Sequence, residues 1–315
     1  MKQELDISVV VPLYNEEESL PELVEWIDRV ARTNNLSYEI IMVDDGSSDR
    51  SWAVVEQLKA KYSTIRGISF MRNYGKSAAL CCGFEMARGE VVFTMDADLQ
   101  DSPDEIPEMR RMIVEEGYDL VSGWKRKRHD PISKRWPSKF FNLTARLMSG
   151  IKLHDFNCGL KAYRRKVVKA IEVYGEMHRY IPILAKDAGF KRIGEKVVEH
   201  HERKYGKSKF GLERMIKGYL DLISVSFMSH FGRSPMYLFG GLGTLMFLFG
   251  FGAVVWIIIE KFVASRSLTN QPLFYLSLVA ILLGAMLFLA GFLGELINRR
   301  STDRNKYLID KQIYE

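Results

Sequence analysis

Several familiar signatures are missing from this sequence, and each absence excludes something. It has 3 cysteines in 315 residues. Cys81 and Cys82 are adjacent and Cys158 stands alone, so neither a disulfide framework nor a zinc site is expected; reduced core residues are. No apolar stretch precedes the first acids of "MKQELDISVVVPLYNEEE", so no signal peptide is expected and the N-terminal domain is placed in the cytosol. There is no G-x-G-x-x-G. There is no phosphate loop either, because Phe70 stands where the first glycine of a loop ending in Gly75-Lys76-Ser77 would be. Without a glycine cradle, any phosphate is expected to be held through a metal. Internal repeats and low-complexity segments are also absent. So is charge, completely, from Ser234 to Ile259 and from Ser267 to Gly294.

Those two uncharged runs exceed the roughly 20 apolar residues a bilayer core demands of a helix. They predict transmembrane helices at 235–259 and 272–297; a buried soluble hairpin is the alternative. Residues 201–233 carry seven Lys/Arg against three Asp/Glu, and 298–315 carry five against three. The positive-inside rule therefore predicts an integral membrane protein with its N-terminal domain and both termini cytoplasmic. "FGLERMIKGYLDLISVSFMSHF" (210–231) reads as an interfacial amphipathic helix. The net charge of +6 suits anionic lipid. Nucleic acid competes as a partner for a basic chain, but two membrane spans argue against it. Small residues in "FGGLGTLMFLFGFG" have helix-packing spacing, which points to helix association and a homo-oligomer.

The first 124 residues alternate apolar runs with helical periodicity. "ISVVVPLY", "YEIIMVDDGSSD", "IRGISFM", "GEVVFTMDAD" and "YDLVSGW" read as strands, with helices between them. The predicted fold is α/β, a doubly wound and mainly parallel sheet with right-handed crossovers. The pattern loosens beyond a basic segment, 125–139, and a mixed region follows from about 140 to 200. The expected layout is a catalytic domain over 1–209, a juxtamembrane helix over 210–233, two spans within 234–300, and a cytosolic tail over 301–315.

Three predicted strands end in acids: Glu16 near the first, Asp44 and Asp45 at the second, Asp96 and Asp98 at the fourth with Gln100 next in step. Ligands of open α/β sheets bind beyond the carboxyl ends of strands. Carboxylates gathered there repel unless a cation joins them, and hard cations such as Mg²⁺ and Mn²⁺ favour oxygen donors and phosphate co-ligands. Asp44 also reads as a turn or helix cap, since "DDGSSD" is good turn chemistry.

"VVVPLYNEEESL", "IIMVDDGSSD", "RNYGKSAALCCGFEMARGE" and "MDADLQDSPDEIP" resemble the motifs of family 2 glycosyltransferases with the Rossmann-like GT-A fold. "DADLQDSP" resembles the polyprenyl-phosphate branch, which includes dolichol-phosphate mannose synthases and undecaprenyl-phosphate glucosyltransferases. The resemblance covers about residues 5–210, and the two spans match membrane-anchored members. It implies a metal-dependent, inverting hexosyltransferase with a nucleotide-sugar donor and a polyprenyl phosphate acceptor. It implies donor contacts from Pro12, Tyr14, Glu16, Asp44, Lys76, Asp96 and Arg203, the last within "RKYGKSK". Mg²⁺ or Mn²⁺ falls to Asp96, Asp98 and Gln100. Acceptor-phosphate binding falls to Lys125, Arg126, Lys134, Arg135 and Ser138, with the choice between Lys125 and Arg126 open. Asp155, grouped with Asp96 and Asp98 as catalytic, reads as a sugar-orienting acid or a helix cap. His129, His178 and His230 read as isolated surface or packing residues.

UDP-glucose is the first expected donor and GDP-mannose the alternative. A processive polysaccharide synthase would need Q-x-x-R-W, and Ile132 stands at the Gln position before Arg135-Trp136. A membrane anchor that only binds nucleotide is the non-enzymatic reading.

Overall fold

The computed structural model describes residues 5–126, 142, 145–146, 149–175, 177–205, 235–264, 271–300 and 309–313. The chain divides into two compact units, one comprising 1–225 with 305–315 and the other 226–304.

The first unit is built on an eight-stranded mixed sheet. β1 (Ile7–Leu13), β2 (Tyr38–Asp44) and β3 (Ile65–Phe70) are parallel neighbours joined by α1 (Leu20–Thr33) and α2 (Ser51–Lys61). The chain then passes back over β1. α3 (Lys76–Met86) leads into β4 (Val91–Thr94), which pairs parallel with β1 on its other side. A 3₁₀ turn (Pro103–Glu105) and α4 (Ile106–Val114) lead to β5 (Leu120–Trp124). β6 (Lys161–Arg164) then inserts antiparallel between β4 and β5. α5 (Arg165–Ala170), a 3₁₀ turn (Met177–Tyr180) and α6 (Ile181–Asp187) precede β7 (Ile193–Val197), which runs parallel beside β5. β8 (Ile309–Ile313) pairs antiparallel with β3 at the far edge, giving the order β7-β5-β6-β4-β1-β2-β3-β8.

The continuous apolar strand runs have a direct cause: helices cover both faces of the sheet. Ile7, Val9, Val11 and Leu13 of β1 join Leu23 of α1, Val55 of α2 and Met109 of α4 in one core. Val10, between them, points to the opposite core with Ala79 of α3, Val167 of α5 and Ile181 of α6. All of these side chains are buried. The reading of the first five strands and their helices agrees with the structure, with α4 preceded by the 3₁₀ turn. β6, β7 and β8 have no counterpart in the sequence reading. Each is short, and "KAYR" or "IDKQI" shows no run that separates it from its surroundings.

The second unit is an antiparallel hairpin of α7 (Pro235–Ala264) and α8 (Pro272–Arg300). Within it, Leu238–Val263 and Pro272–Gly294 are long and apolar enough to cross a membrane, with mean hydropathies of 2.4 and 2.6. Their outer faces are apolar and exposed: Phe249, Phe262 and Val263 each show more than three-quarters of their surface. A soluble core hairpin would cover such residues. Two glycines of α7 pack closely against α8. A Cβ on Gly243 would meet the Gly284 carbonyl oxygen at 2.6 Å, and one on Gly250 the Ser277 carbonyl oxygen at 2.8 Å. The interfacial helix expected over 210–231 lies outside the described residues.

Candidate active site

The strand order creates the site. The chain reverses between β1 and β4, and a crevice opens beyond the carboxyl ends of adjacent strands at such a switch point. Because β6 is antiparallel and β5 and β7 are parallel to each other, the carboxyl ends of β1, β2, β4, β5 and β7 and the start of β6 share that edge. Two of the three non-glycine residues with positive φ among the described residues lie in these loops, Asn15 (57°) after β1 and Leu99 (59°) after β4. A left-handed leucine is costly. Here it turns the chain back immediately after Asp98.

Each carboxylate of the corner has a basic partner from another element. Lys76, the first residue of α3, donates to Asp96 Oδ1. Arg203, beyond β7, donates to Asp98 Oδ2 at 2.9 Å and lies 3.6 Å from Glu16 Oε1. Burial works against the Asp96 anion, but the Lys76 ammonium outweighs it and holds the carboxyl at about 2. Asp98 moves the other way. Burial and the neighbouring Asp96 charge raise it, and Arg203 only partly compensates. Burial raises Glu16 as well, with Arg203 opposing. Adjacent acids thus hold their protons unequally, as in many sites that bind cations or charged substrates.

Around this corner the fold arranges further residues. Asp45 accepts the backbone N–H groups of Tyr74 (2.7 Å) and Gly75 (2.9 Å), which fixes the chain directly before Lys76. A Cβ on Gly159 would lie 2.5 Å from Asp96 Oδ2 and 2.8 Å from Asp101 Oδ2, so only glycine lets the loop before β6 close on both carboxylates. Lys161 is buried and donates to the Cys158 carbonyl, and burial pulls its ammonium down. Burial pushes the Cys158 thiol up to about 12, which makes it inert. All three cysteines are buried thiols outside any disulfide. His178 does not stand apart: its Nδ1 is 3.1 Å from Ser77 Oγ. Burial and the Lys76 charge hold it well below the usual imidazole range.

The residues named from sequence fall into three groups. Glu16, Lys76, Asp96, Asp98 and Arg203 come together. Pro12 and Tyr14 lie at the end of β1 on the same edge, Tyr14 37% exposed. Asp44 is buried: it accepts from the Ser47 backbone N–H at 3.0 Å, from the Ser47 hydroxyl, and from Ser69 Oγ at 3.0 Å. It closes its own turn and ties β2 to β3. Gln100 contributes backbone, its N–H donating to Asp98 Oδ1 (3.2 Å) and its carbonyl accepting from His201 N–H (2.9 Å). Asp155 is buried and accepts from Asn157 N–H at 3.0 Å, which shapes the loop leading to Gly159.

At the end of β5 the two neighbouring cations separate. Lys125 turns inward, its ammonium 2.7 Å from Asp101 Oδ1. Arg126 is exposed, its guanidinium over the Trp124 ring at 6.0 Å. The Trp124 ring also stacks on His154 at 4.1 Å. Lys134, Arg135 and Ser138 lie outside the described residues.

Among the described residues, no three His, Cys, Asp or Glu side chains converge as a metal-ligand set. Asp96 and Asp98 nonetheless suit a hard cation, provided that phosphate oxygens complete its shell. The two carboxylates sit two residues apart beside cations able to take those phosphates.

Comparison with known proteins agrees. The glycosyl transferase family 2 model matches residues 8–172. A dodecaprenyl-phosphate galacturonate synthase of Rhizobium johnstonii is 34% identical over 99% of this chain and 94% of its own. An undecaprenyl-phosphate 4-deoxy-4-formamido-L-arabinose transferase of Pseudomonas paraeruginosa is 35% identical over 98% of this chain and 90% of its own. The fold resembles glucosyl-3-phosphoglycerate synthase of Mycobacterium tuberculosis, solved with Mn²⁺ and UDP-glucose, at TM-score 0.54 and 20% identity over 72% of this chain and 80% of that one. It also resembles mannosyl-3-phosphoglycerate synthase of Rubrobacter xylanophilus, at 0.56 and 17% over 72% and 75%. With a GT-A sheet, an acidic corner at its switch point, and relatives aligned along nearly its whole length, the chain belongs to glycosyl transferase family 2 and is a glycosyltransferase.

Proposed function

We propose that this enzyme transfers a sugar, with inversion, from a nucleotide diphosphate to a polyprenyl phosphate at the cytosolic membrane face. The observation that carries the reading is the pairing of Asp96 with Lys76 and of Asp98 with Arg203 in one crevice. A sugar nucleotide with a divalent cation supplies the complement of both halves: diphosphate oxygens for Lys76 and Arg203, positive charge for Asp96 and Asp98. The relatives named for polyprenyl-phosphate transfer, aligned through the hairpin, support the acceptor.

The chemistry needs little from the protein beyond placement. An oxygen of the acceptor phosphate attacks the anomeric carbon as the bond to the nucleoside diphosphate breaks on the opposite side. The attacking phosphate is already anionic, so no general base is needed. Asp155, buried and bonded to Asn157 N–H, serves as a loop-shaping acid. Bound Mg²⁺ or Mn²⁺ would offset the charge gathering on the departing diphosphate. Lys76 and Arg203 leave their carboxylates to hold that diphosphate, and positioning of the two reactants supplies much of the rate. Arg126, exposed at the end of β5, begins the acceptor-phosphate set with Lys134, Arg135 and Ser138; arginine suits it because it grips phosphate bidentately.

UDP-glucose is the first donor to test, with GDP-mannose beside it. The relatives' names add galacturonate and 4-deoxy-4-formamido-L-arabinose. Purified full-length protein, polyprenyl phosphate, Mn²⁺ and each labelled donor in turn should yield a lipid-extractable monosaccharide, and Asp98→Ala should yield none. A long polymer resistant to lipid extraction would defeat the reading in favour of a processive synthase. Absence of nucleotide release with every donor would favour a nucleotide-binding anchor.

The basic flanks support a cytosolic position for both ends of the hairpin. So does β8, which returns the chain after α8 to the sheet that precedes α7. Labelling of a Ser267→Cys variant by a membrane-impermeant thiol reagent, in intact cells, tests this; a label reaching only broken cells contradicts it.

A further inference from the structure

Asp101 and Lys125 form a charge pair beside the acidic corner that the transfer chemistry does not use. Asp101 has no exposed surface, and the Lys125 side chain is 13% exposed. Their contact is a charge-assisted one, 2.7 Å from Nζ to Oδ1, and Asp101 Oδ2 has no hydrogen-bonding partner among the described residues. Asp101 Oδ2 and Asp96 Oδ2 both crowd the same backbone position, Gly159. The Lys125 charge therefore acts on both carboxylates, and it lowers the Asp96 carboxyl as well. Asp101 also anchors the chain. It bridges antiparallel to His200, and the preceding carbonyl accepts from His201 N–H, two residues before Arg203. The turn from Asp98 to Asp101 is thus pinned at its distal end by one buried ion pair, while its proximal end carries the two corner acids.

We propose that Asp101 and Lys125 are positioning residues for the divalent-cation site: Lys125 neutralises Asp101, and the neutral pair holds the Asp98–Asp101 turn so that Asp96 and Asp98 face the donor diphosphate. Lys125 on this account is not an acceptor-phosphate ligand, and that role stays with Arg126 and the segment after it. The inference rests on the sugar-nucleotide reading only for what the cation serves. A carboxylate at zero exposure tolerates its charge only with a counter-charge beside it. Removing either partner therefore leaves a charge that must move or take up or lose a proton, and the turn moves with it. Removing both leaves two neutral groups in the same space.

The test is a double-mutant cycle on the full-length protein in detergent: wild type, Lys125→Met, Asp101→Asn and the double variant. Mn²⁺ binding is followed by electron paramagnetic resonance, and kcat and acceptor KM are followed by transfer. Each single variant should weaken Mn²⁺ binding about 10–100-fold, as loss of a supporting partner of metal ligands does, and leave acceptor KM unchanged. The double variant should recover most of the lost affinity, because the two sites are coupled. Lys125→Arg, which keeps the charge, should bind Mn²⁺ like the wild type even if a single neutral variant fails to fold. An acceptor KM raised by Lys125→Met at unchanged Mn²⁺ affinity, with no recovery in the double variant, overturns the proposal; so does a wild type that binds no Mn²⁺. A wild type that binds Mn²⁺ with this pattern but transfers no sugar defeats the functional reading and leaves the pair's role standing.

Discussion

At the residue scale, Asp96 and Asp98 show how two identical side chains two positions apart acquire different chemistry. Lys76 keeps Asp96 ionised to about pH 2, while burial and the Asp96 charge raise Asp98. As pH falls, Asp98 takes up a proton first. Divalent-cation binding, which needs the carboxylate, should therefore weaken as pH falls through a midpoint above the ordinary aspartate value of about 3.9. Titrating Mn²⁺ affinity against pH checks this, and a midpoint below that value would refute the assignment. Gly159 gives a second prediction at the same scale. Gly159→Ala places a methyl 2.5 Å from Asp96 Oδ2. The displaced carboxylate should lower kcat by about 10²-fold. A thermal melt alongside should show a folded protein. Sequence disclosed the acids because they recur at strand ends. It did not disclose Gly159, Asp101 or His178, since nothing in a linear pattern links position 159 to 96 or 178 to 77.

At the scale of elements, the parallel strands are locked by a buried ion cluster that the apolar runs conceal. Glu39 of β2 accepts from Ser8 Oγ of β1, from Arg66 of β3 at 2.9 Å, and from Arg88 before β4. Burial alone would raise its carboxyl, but these donors outweigh it and lower it. A depressed folded value contributes stability that is present above the unfolded value, about 4.3 for glutamate, and is lost as pH falls through the folded value. Glu39→Ala removes the carboxylate that offsets the buried Arg66 charge, leaving its guanidinium the Met86 carbonyl, and should cost about 3–5 kcal/mol, measured by denaturant unfolding at neutral pH. Below the folded value the difference between variant and parent should shrink. Sequence placed these strands correctly from their apolar runs. Short strands such as β6 escaped because four residues between loops carry too little periodicity to register, and only pairing to β4 and β5 defines them.

For the whole molecule, the hairpin of α7 and α8 is flanked in sequence by parts of one sheet. β8 covers the edge of β3, pairing from Gly67 with Ile313 to Phe70 with Ile309, and Ile313 packs on the core. Truncation after Arg304 should uncover that edge, lower the melting temperature and promote association between molecules, because an unpaired strand edge is a template for another chain. Size-exclusion chromatography and a thermal melt of the detergent-solubilised protein measure both. An unchanged melt and elution profile would mean that β8 is dispensable. Within the hairpin, Gly243 and Gly250 pack α7 on α8, whereas a Cβ on Gly241 or Gly252 would meet nothing within 4 Å, so packing inside the hairpin accounts for part of the small-residue pattern.

The parallel α/β half, the two membrane-length helices and the acids at the strand ends were legible in the sequence because they rest on local features: apolar periodicity, uncharged runs, and side chains at fixed spacing after a strand. The family was legible only through the resemblance of its motifs to known ones. Tertiary structure alone decided which groups neutralise the acids. Lys76, Lys125 and Arg203 lie far apart in the chain, and they meet Asp96, Asp101 and Asp98 only because the strand order brings β4 and β5, the start of α3 and the segment after β7 to one edge. It also decided that Asp44 closes its own turn and that, of the adjacent Lys125 and Arg126, the first meets the buried Asp101 while the second stays exposed. Beyond β5 the chain turns, Arg126 N–H donating to the Trp124 carbonyl at 2.9 Å, so the two neighbours leave the strand end in different directions.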